Sequence, residues 1–398
     1  MAIRTELASS KTNFDFADLS IALVSGLALA MAALFLCVAP LTGKIAGGRD
    51  FVVYWATGQQ LVHHANPYNG DVMMRMERGA GLPGAAGVLF MRNPPYALPI
   101  VYPLGLIGIR TASLIWSLIL VACLWGSVQI IWQLHGRPRQ LLNFLAYSFA
   151  PVLICLFTGQ TSMFALFGLA LFLKLHRTQP FLAGMALWLC ALKPHLFLVF
   201  GAVLLAWIVM SSSYRILLGA VAAMAASCAV TWLIDPTAWT EYAQMMRTGG
   251  IEREFIPCPS VVLRLWVSPG TAWLQYLLPA LGCVWALAYF WKRRRAWDWL
   301  KDGSLPTVIS LLAAPYWWAF DHVILIPALL HGAYVTRSRI LLTLLALASL
   351  CIEMGMILGM QLPSPLFLLT VPAWLVWYLV AVSLPRATGE REKAPERS

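Results

Sequence analysis

Apolar stretches of about 20 residues recur from Leu19 to Leu384, separated by short polar breaks. A helix rising about 1.5 Å per residue needs that length to cross ~30 Å of hydrocarbon, so the pattern predicts membrane-spanning helices. The runs fall near 19–40, 111–134, 140–157, 161–175, 180–192, 196–210, 216–234, 271–291, 304–320, 322–335, 340–360 and 366–384. The expected fold is all-α, a polytopic transmembrane bundle of about twelve spans, some of them short. It divides into a cytoplasmic N-terminal segment (1–18), one membrane domain (19–385) and a charged cytoplasmic tail (386–398). The first run also resembles a signal peptide, but it is long for that role and follows a segment holding Glu6, Asp15 and Asp18 as well as basic residues.

Two breaks are long, 41–110 and 235–270. Within the first, Tyr54, Trp55, Gly58, Leu61 and Val62 follow helical spacing, which predicts an amphipathic helix over about Phe51–His64 with its aromatic face in the membrane interface.

Charge then orients the bundle. With the N-terminus inside, strict alternation places Arg137/Arg139, Lys174/Arg177, Arg215, Lys292 to Arg295, Arg337/Arg339 and Arg386 in the cytoplasm. The opposite face receives the 41–110 segment, Gly159-Gln160, Lys193-Pro194, the 235–270 loop and Asp321-His322. The unusual polar residues therefore share one face, expected to be the exterior or periplasmic side of a plasma membrane.

Composition agrees with lipid as the main solvent. Of 398 residues, 60% are hydrophobic and 11% charged, against about 25% charged in soluble domains. The net charge of +11 comes from basic residues in short breaks and not from a face interleaved with stacking aromatics, so no nucleic-acid partner is expected. Eight cysteines are scattered, mostly in apolar runs, which argues against a disulfide framework or a zinc site.

The candidate chemistry lies at the breaks. Asp50 opens the first-loop helix; a carboxylate there either caps exposed backbone N–H groups or acts as general base toward an acceptor hydroxyl, with Arg49 keeping it ionised. Lys193 interrupts an apolar stretch just before Pro194, where it either snorkels to the interface or binds a lipid phosphate. Asp321 and His322 follow Pro315-Tyr316-Trp317-Trp318. The imidazole is suited to donate to a leaving phosphate, and the carboxylate to orient a cation or cap the next helix. Gln160 sits at a tight turn, where its amide binds sugar hydroxyls or satisfies the turn. His63 and His64 are adjacent, so on a helix they diverge and do not form a metal-binding pair.

In sequence order these residues resemble glycosyltransferase family 87, polyprenyl-phosphate-mannose-dependent enzymes of the GT-C fold. The resemblance rests on Asp50 just after the first span, Asn66-Pro67-Tyr68, Pro94-Pro95, Gly159-Gln160 and Lys193-Pro194, with Asp321 a looser match. It implies an inverting transfer of a hexose, mannose by family default, from a polyprenyl-phosphate donor to a lipid or glycan acceptor. Asp50 is then the catalytic base. Lys193, His322 and Arg49 meet the donor phosphate, and Tyr54, Asn66, Tyr68, Gln160 and Asp321 contact substrate. No cofactor or metal is expected, since no paired-acid motif accompanies Asp50.

Two other readings have sequence support. A transporter or flippase also suits about twelve spans, but it should carry ionisable groups deep in several helices, and only Glu353 stands out here. A polymerase or ligase of undecaprenyl-linked glycans shares the face and the lipid phosphate.

Overall fold

A computed structural model describes residues 16–41, 48–82, 89–248 and 254–384. Most of the N-terminal segment, the 386–398 tail and the side chain of Arg49 lie outside the described residues. The fold is all-helical, 79% helix with no strand among the described residues.

Each of the twelve apolar runs contains a helix, the run 304–320 only over Ser304–Ala313, and their lengths differ. Among the described residues, five helices are long and apolar enough to cross a membrane: Ile109–Leu134, Tyr214–Ile234, Ala272–Ala296, Arg339–Ile357 and Pro365–Ser383. A sixth candidate is the pair Gln140–Tyr147 and Ala150–Thr158, bent by 48° at the break between them. The first helix, Phe16–Leu41, has 26 residues; other apolar helices, such as Ser162–Leu175 and Pro180–Ala191, have 10–17, shorter than the roughly 20 residues that span hydrocarbon. Of the expected twelve or so spans, some of them short, five to six are candidates by length and composition among the described residues, and the count of twelve is not confirmed. Composition made all twelve look alike; prolines at 180, 194 and 315 and the turn at Gly159 bound the shorter ones.

Polar groups gather at two ends of this bundle. At one end Ser162, the first residue of Ser162–Leu175, bonds to Asp321, and Trp55 Nε1 donates to Ile107 O (3.0 Å) just before Ile109–Leu134. At the far ends of those helices, His176 meets Trp207 at 5.9 Å and His135 Nε2 lies 3.0 Å from His331 Nδ1. Arg139 pairs with Asp18 in this second group. The sorting follows the two sets of breaks that the charge pattern separates.

The first-loop helix, Gly48–Val62, is where the structure departs most from the sequence pattern. Its expected aromatic face is not left to the interface: Phe51, Val52, Val53, Tyr54, Ala56, Thr57 and Leu61 are all buried. The helix is held between the bundle and the Leu98–Leu106 turns. A Cβ on Gly58 would lie 2.3 Å from Val101 O, and one on Gly105 would lie 2.2 Å from Gly58 C and O. Only glycine allows backbone to meet backbone here. The helix start is fixed in the same way: Gly48 has φ +52°, and a Cβ there would sit 2.8 Å from Phe157 O. Gly48, two residues before Asp50, is thereby set against the end of the Ala150–Thr158 helix.

Candidate active site

The site begins with a break. Pro194 has no N–H and stops the Pro180–Ala191 helix, leaving carbonyls without their usual partners. The first loop supplies them: Tyr96 Oη donates to Ala191 O (2.7 Å) and Asn93 Nδ2 to Leu192 O (2.9 Å). Thr231 Oγ1 in turn donates to Pro95 O at 2.9 Å. The Arg92-Asn93-Pro94-Pro95-Tyr96 segment is therefore the brace of the Lys193 break.

Lys193 does not snorkel. It is 8% exposed, and its ammonium donates to Asp321 Oδ1 (2.6 Å) and Gln160 Oε1 (2.9 Å) with the Phe320 ring 4.5 Å away. Asp321, 1% exposed, also accepts from Ser162 Oγ (2.6 Å) and from the Trp318 backbone N–H (2.9 Å). The two roles open for Asp321, orienting a cation and capping the following turn, are both filled. A buried charge pair this well satisfied holds three separate parts of the chain in one geometry.

Gln160 carries the network toward Asp50. Gly159 ends the Ala150–Thr158 helix in the left-handed region, Trp116 Nε1 donates to Gly159 O (2.7 Å), and Gln160 Oε1 accepts from Tyr54 Oη (3.0 Å). The Gln160 side chain is thus a link between Tyr54 and Lys193. Tyr54 and Asp50 lie one helical turn apart on Gly48–Val62. Burial pushes the Tyr54 phenol well up, and the Asp50 and Asp321 carboxylates act in the same direction. Both carboxylates are therefore within electrostatic reach of one hydroxyl. Asp50 itself is half-buried in the first turn of its helix.

The other sequence candidates lie farther from this chain of contacts. Asn66 Oδ1 accepts from Tyr68 N (2.7 Å), closing an Asx turn through Pro67. Tyr68 is buried with its ring edge-on to Tyr242 at 5.6 Å, and its hydroxyl has no hydrogen-bond partner. His322 is 1% exposed, packed edge-on to Trp317 at 4.6 Å, with Nε2 unpartnered.

Several residues at this end had no assigned role in the sequence. His195 stacks on Tyr316 at 3.9 Å, within electrostatic reach of Asp321 and Lys193, and its buried Nε2 has no hydrogen-bond partner. Its position two residues after Lys193 was the available signal. Arg92 and Glu254 form a two-pronged ion pair between the two long loops, and Tyr242 Oη donates to Arg92 O (3.1 Å). Nothing in the sequence marks a pairing 162 residues apart.

The bundle and the braced polar network define a helical membrane protein with a buried polar network at one end. Residues 90–315 match the family model of glycosyltransferase family 87. That is more than half of the chain, and the chain belongs to this family: it is a glycosyltransferase. The match contains Asn93, Gln160 and Lys193, and the fold brings Asp321 and the Asp50 helix to them from either side of it. No curated protein and no solved structure matches the chain.

Proposed function

We propose that this glycosyltransferase moves a hexose, mannose by family resemblance, from a polyprenyl-phosphate carrier to a lipid or glycan acceptor. The reaction takes place at the extracytoplasmic face of a plasma membrane, with Asp50 as general base. The observation that carries this reading is the run of contacts from the Asp50 helix through Tyr54 and Gln160 to Lys193 and Asp321.

Asp50 takes the proton of the acceptor hydroxyl. The oxygen attacks the anomeric carbon from the face opposite the phosphate, the carbon–oxygen bond to phosphate breaks, and the phosphate leaves with the electron pair. The configuration inverts. Arg49, neighbouring Asp50 in sequence, favours the ionised base. Lys193 meets the leaving phosphate as an ammonium already shared between Asp321 and Gln160, so the pair presents polarity without net charge. His195 and His322, each with an unpartnered Nε2, offer the remaining donors for phosphate oxygens. Tyr68 and Asn66 shape the acceptor side of the first loop.

The test compares sugar transfer in membranes holding the native chain or an equally abundant Asp50→Asn variant, with labelled polyprenyl-phosphate-mannose and total lipid extract. Loss of the base lowers transfer by about 100- to 10,000-fold. Equal transfer by both chains removes Asp50 from catalysis. Failure of the native chain with every polyprenyl-phosphate hexose removes the donor assignment. A topology reporter near Pro67 that reads cytoplasmic overturns the choice of face.

A further inference from the structure

The end of the bundle away from Lys193 carries a second polar construction, unconnected with the transfer chemistry. The helix within Ala272–Ala296 ends in four consecutive cations, Lys292, Arg293, Arg294 and Arg295. With Trp291 and Asp302 they line a half-open cavity of about 470 Å³. The cations are held apart rather than splayed at random. Arg293 lies over the Tyr289 ring at 4.7 Å and within 3.7 Å of Asp302. Arg294 sits over Trp291 at 4.0 Å and donates to Trp291 O (2.6 Å). One acid against four bases leaves the cavity strongly positive.

The helix surface leading to this cavity is apolar and exposed. Leu281, Val284, Ala288 and Trp291 follow one another at helical spacing of three, four and three, and all four are exposed. From Leu281 to Trp291 the helix rises about 15 Å, half of a ~30 Å hydrocarbon core. Trp273 and Leu277 extend the exposed apolar face back along the same helix, and the basic cavity begins where that face ends. Trp291, at the junction, is the residue type that sits at headgroup level.

We propose that this cavity binds the phosphate of an anionic phospholipid, whose acyl chain lies along the Leu281–Trp291 stripe. A free phosphate compound shares the charge recognition but has nothing to place on the stripe. The continuity of the exposed apolar face with the basic cavity at Trp291 selects the lipid.

The experiment is native mass spectrometry of the full chain released from mixed phosphatidylglycerol and phosphatidylcholine micelles. The native chain is compared with Lys292→Gln/Arg295→Gln and with Arg177→Gln/Arg215→Gln. The first pair removes two cavity cations that take no part in the Arg293 and Arg294 contacts; the second removes the same charge from exposed positions elsewhere. The native chain and the Arg177/Arg215 variant are expected to retain phosphatidylglycerol over phosphatidylcholine. The cavity variant is expected to bind it roughly thirtyfold more weakly, from two cations removed beside an anionic headgroup. Equal loss in both variants, or equal retention of the two lipids by the native chain, overturns the proposal. Displacement of the lipid by millimolar inorganic phosphate or glycerol phosphate assigns the cavity to soluble phosphates and overturns it as well.

Discussion

Breaking the Lys193–Asp321 pair should unbalance the molecule asymmetrically. Asp321→Leu leaves a buried ammonium with Gln160 Oε1 as its one remaining hydrogen-bond acceptor; Lys193→Met leaves a carboxylate that still accepts from Ser162 and the Trp318 N–H. At an effective dielectric of ~20, unit charges ~4 Å apart attract by about 4 kcal/mol, and removing one partner of a buried pair costs about 3–5 kcal/mol. Asp321→Leu therefore belongs near the upper end of that range and Lys193→Met near the lower. The double variant Lys193→Met/Asp321→Leu leaves neither charge stranded and should lose less than the sum of the singles, with a coupling of at least ~2 kcal/mol. The assay is denaturant-titrated unfolding of purified protein, followed by sugar transfer on each variant that remains folded. If the single losses add to the double within ~0.5 kcal/mol, the pair is not coupled and the bracing role assigned to it is wrong. A double variant that is stable yet inactive separates a contribution to transfer from one to folding.

Other outcomes follow from single contacts. Tyr54→Phe removes one donor to Gln160 while Lys193 keeps the same oxygen engaged, so stability should fall by about 1 kcal/mol in the same unfolding titration; a loss above ~4 kcal/mol would show that the hydroxyl supports far more than this link. Gly184→Ala and Gly219→Ala place a Cβ 1.9 Å from Ile216 O and 2.0 Å from Phe181 O, forcing apart the Pro180–Ala191 and Tyr214–Ile234 helices. Each should cost roughly 3 kcal/mol or more, read as a lowered melting temperature, and native-like melting would refute the close approach. Transfer should persist in excess chelator, because both Asp321 oxygens are already engaged by Lys193, Ser162 and Trp318; abolished transfer, restored by a divalent ion, would contradict this.

Which parts of this architecture were legible in the sequence has a physical explanation. Apolar runs betray helices because lipid admits few alternatives, and all twelve were found. Their number of full crossings was not legible, since a short helix of 12 residues such as Pro180–Ala191 and a spanning one have the same composition. The Gly48–Val62 helix was read as interfacial because its pattern is amphipathic; the pattern cannot say whether the apolar face meets lipid or, as here, protein. At the site, polar side chains stranded beside prolines and turns singled out Lys193, Gln160 and Asp321. Their mutual contacts, and those of Asn93 and Arg92, join residues 33 to 162 positions apart. No local periodicity encodes such pairs.

The glycine contact between Gly58 and Gly105 acts as a height gauge. Backbone against backbone leaves no compliant side chain in between, so the Asp50 helix is fixed in depth relative to the Lys193–Asp321 pair. When bilayer thickness changes, the cost of mismatch falls on the lipids and on the tilt of the long helices. The distance between the carboxylate and the buried pair is then the same in a thin membrane as in a thick one.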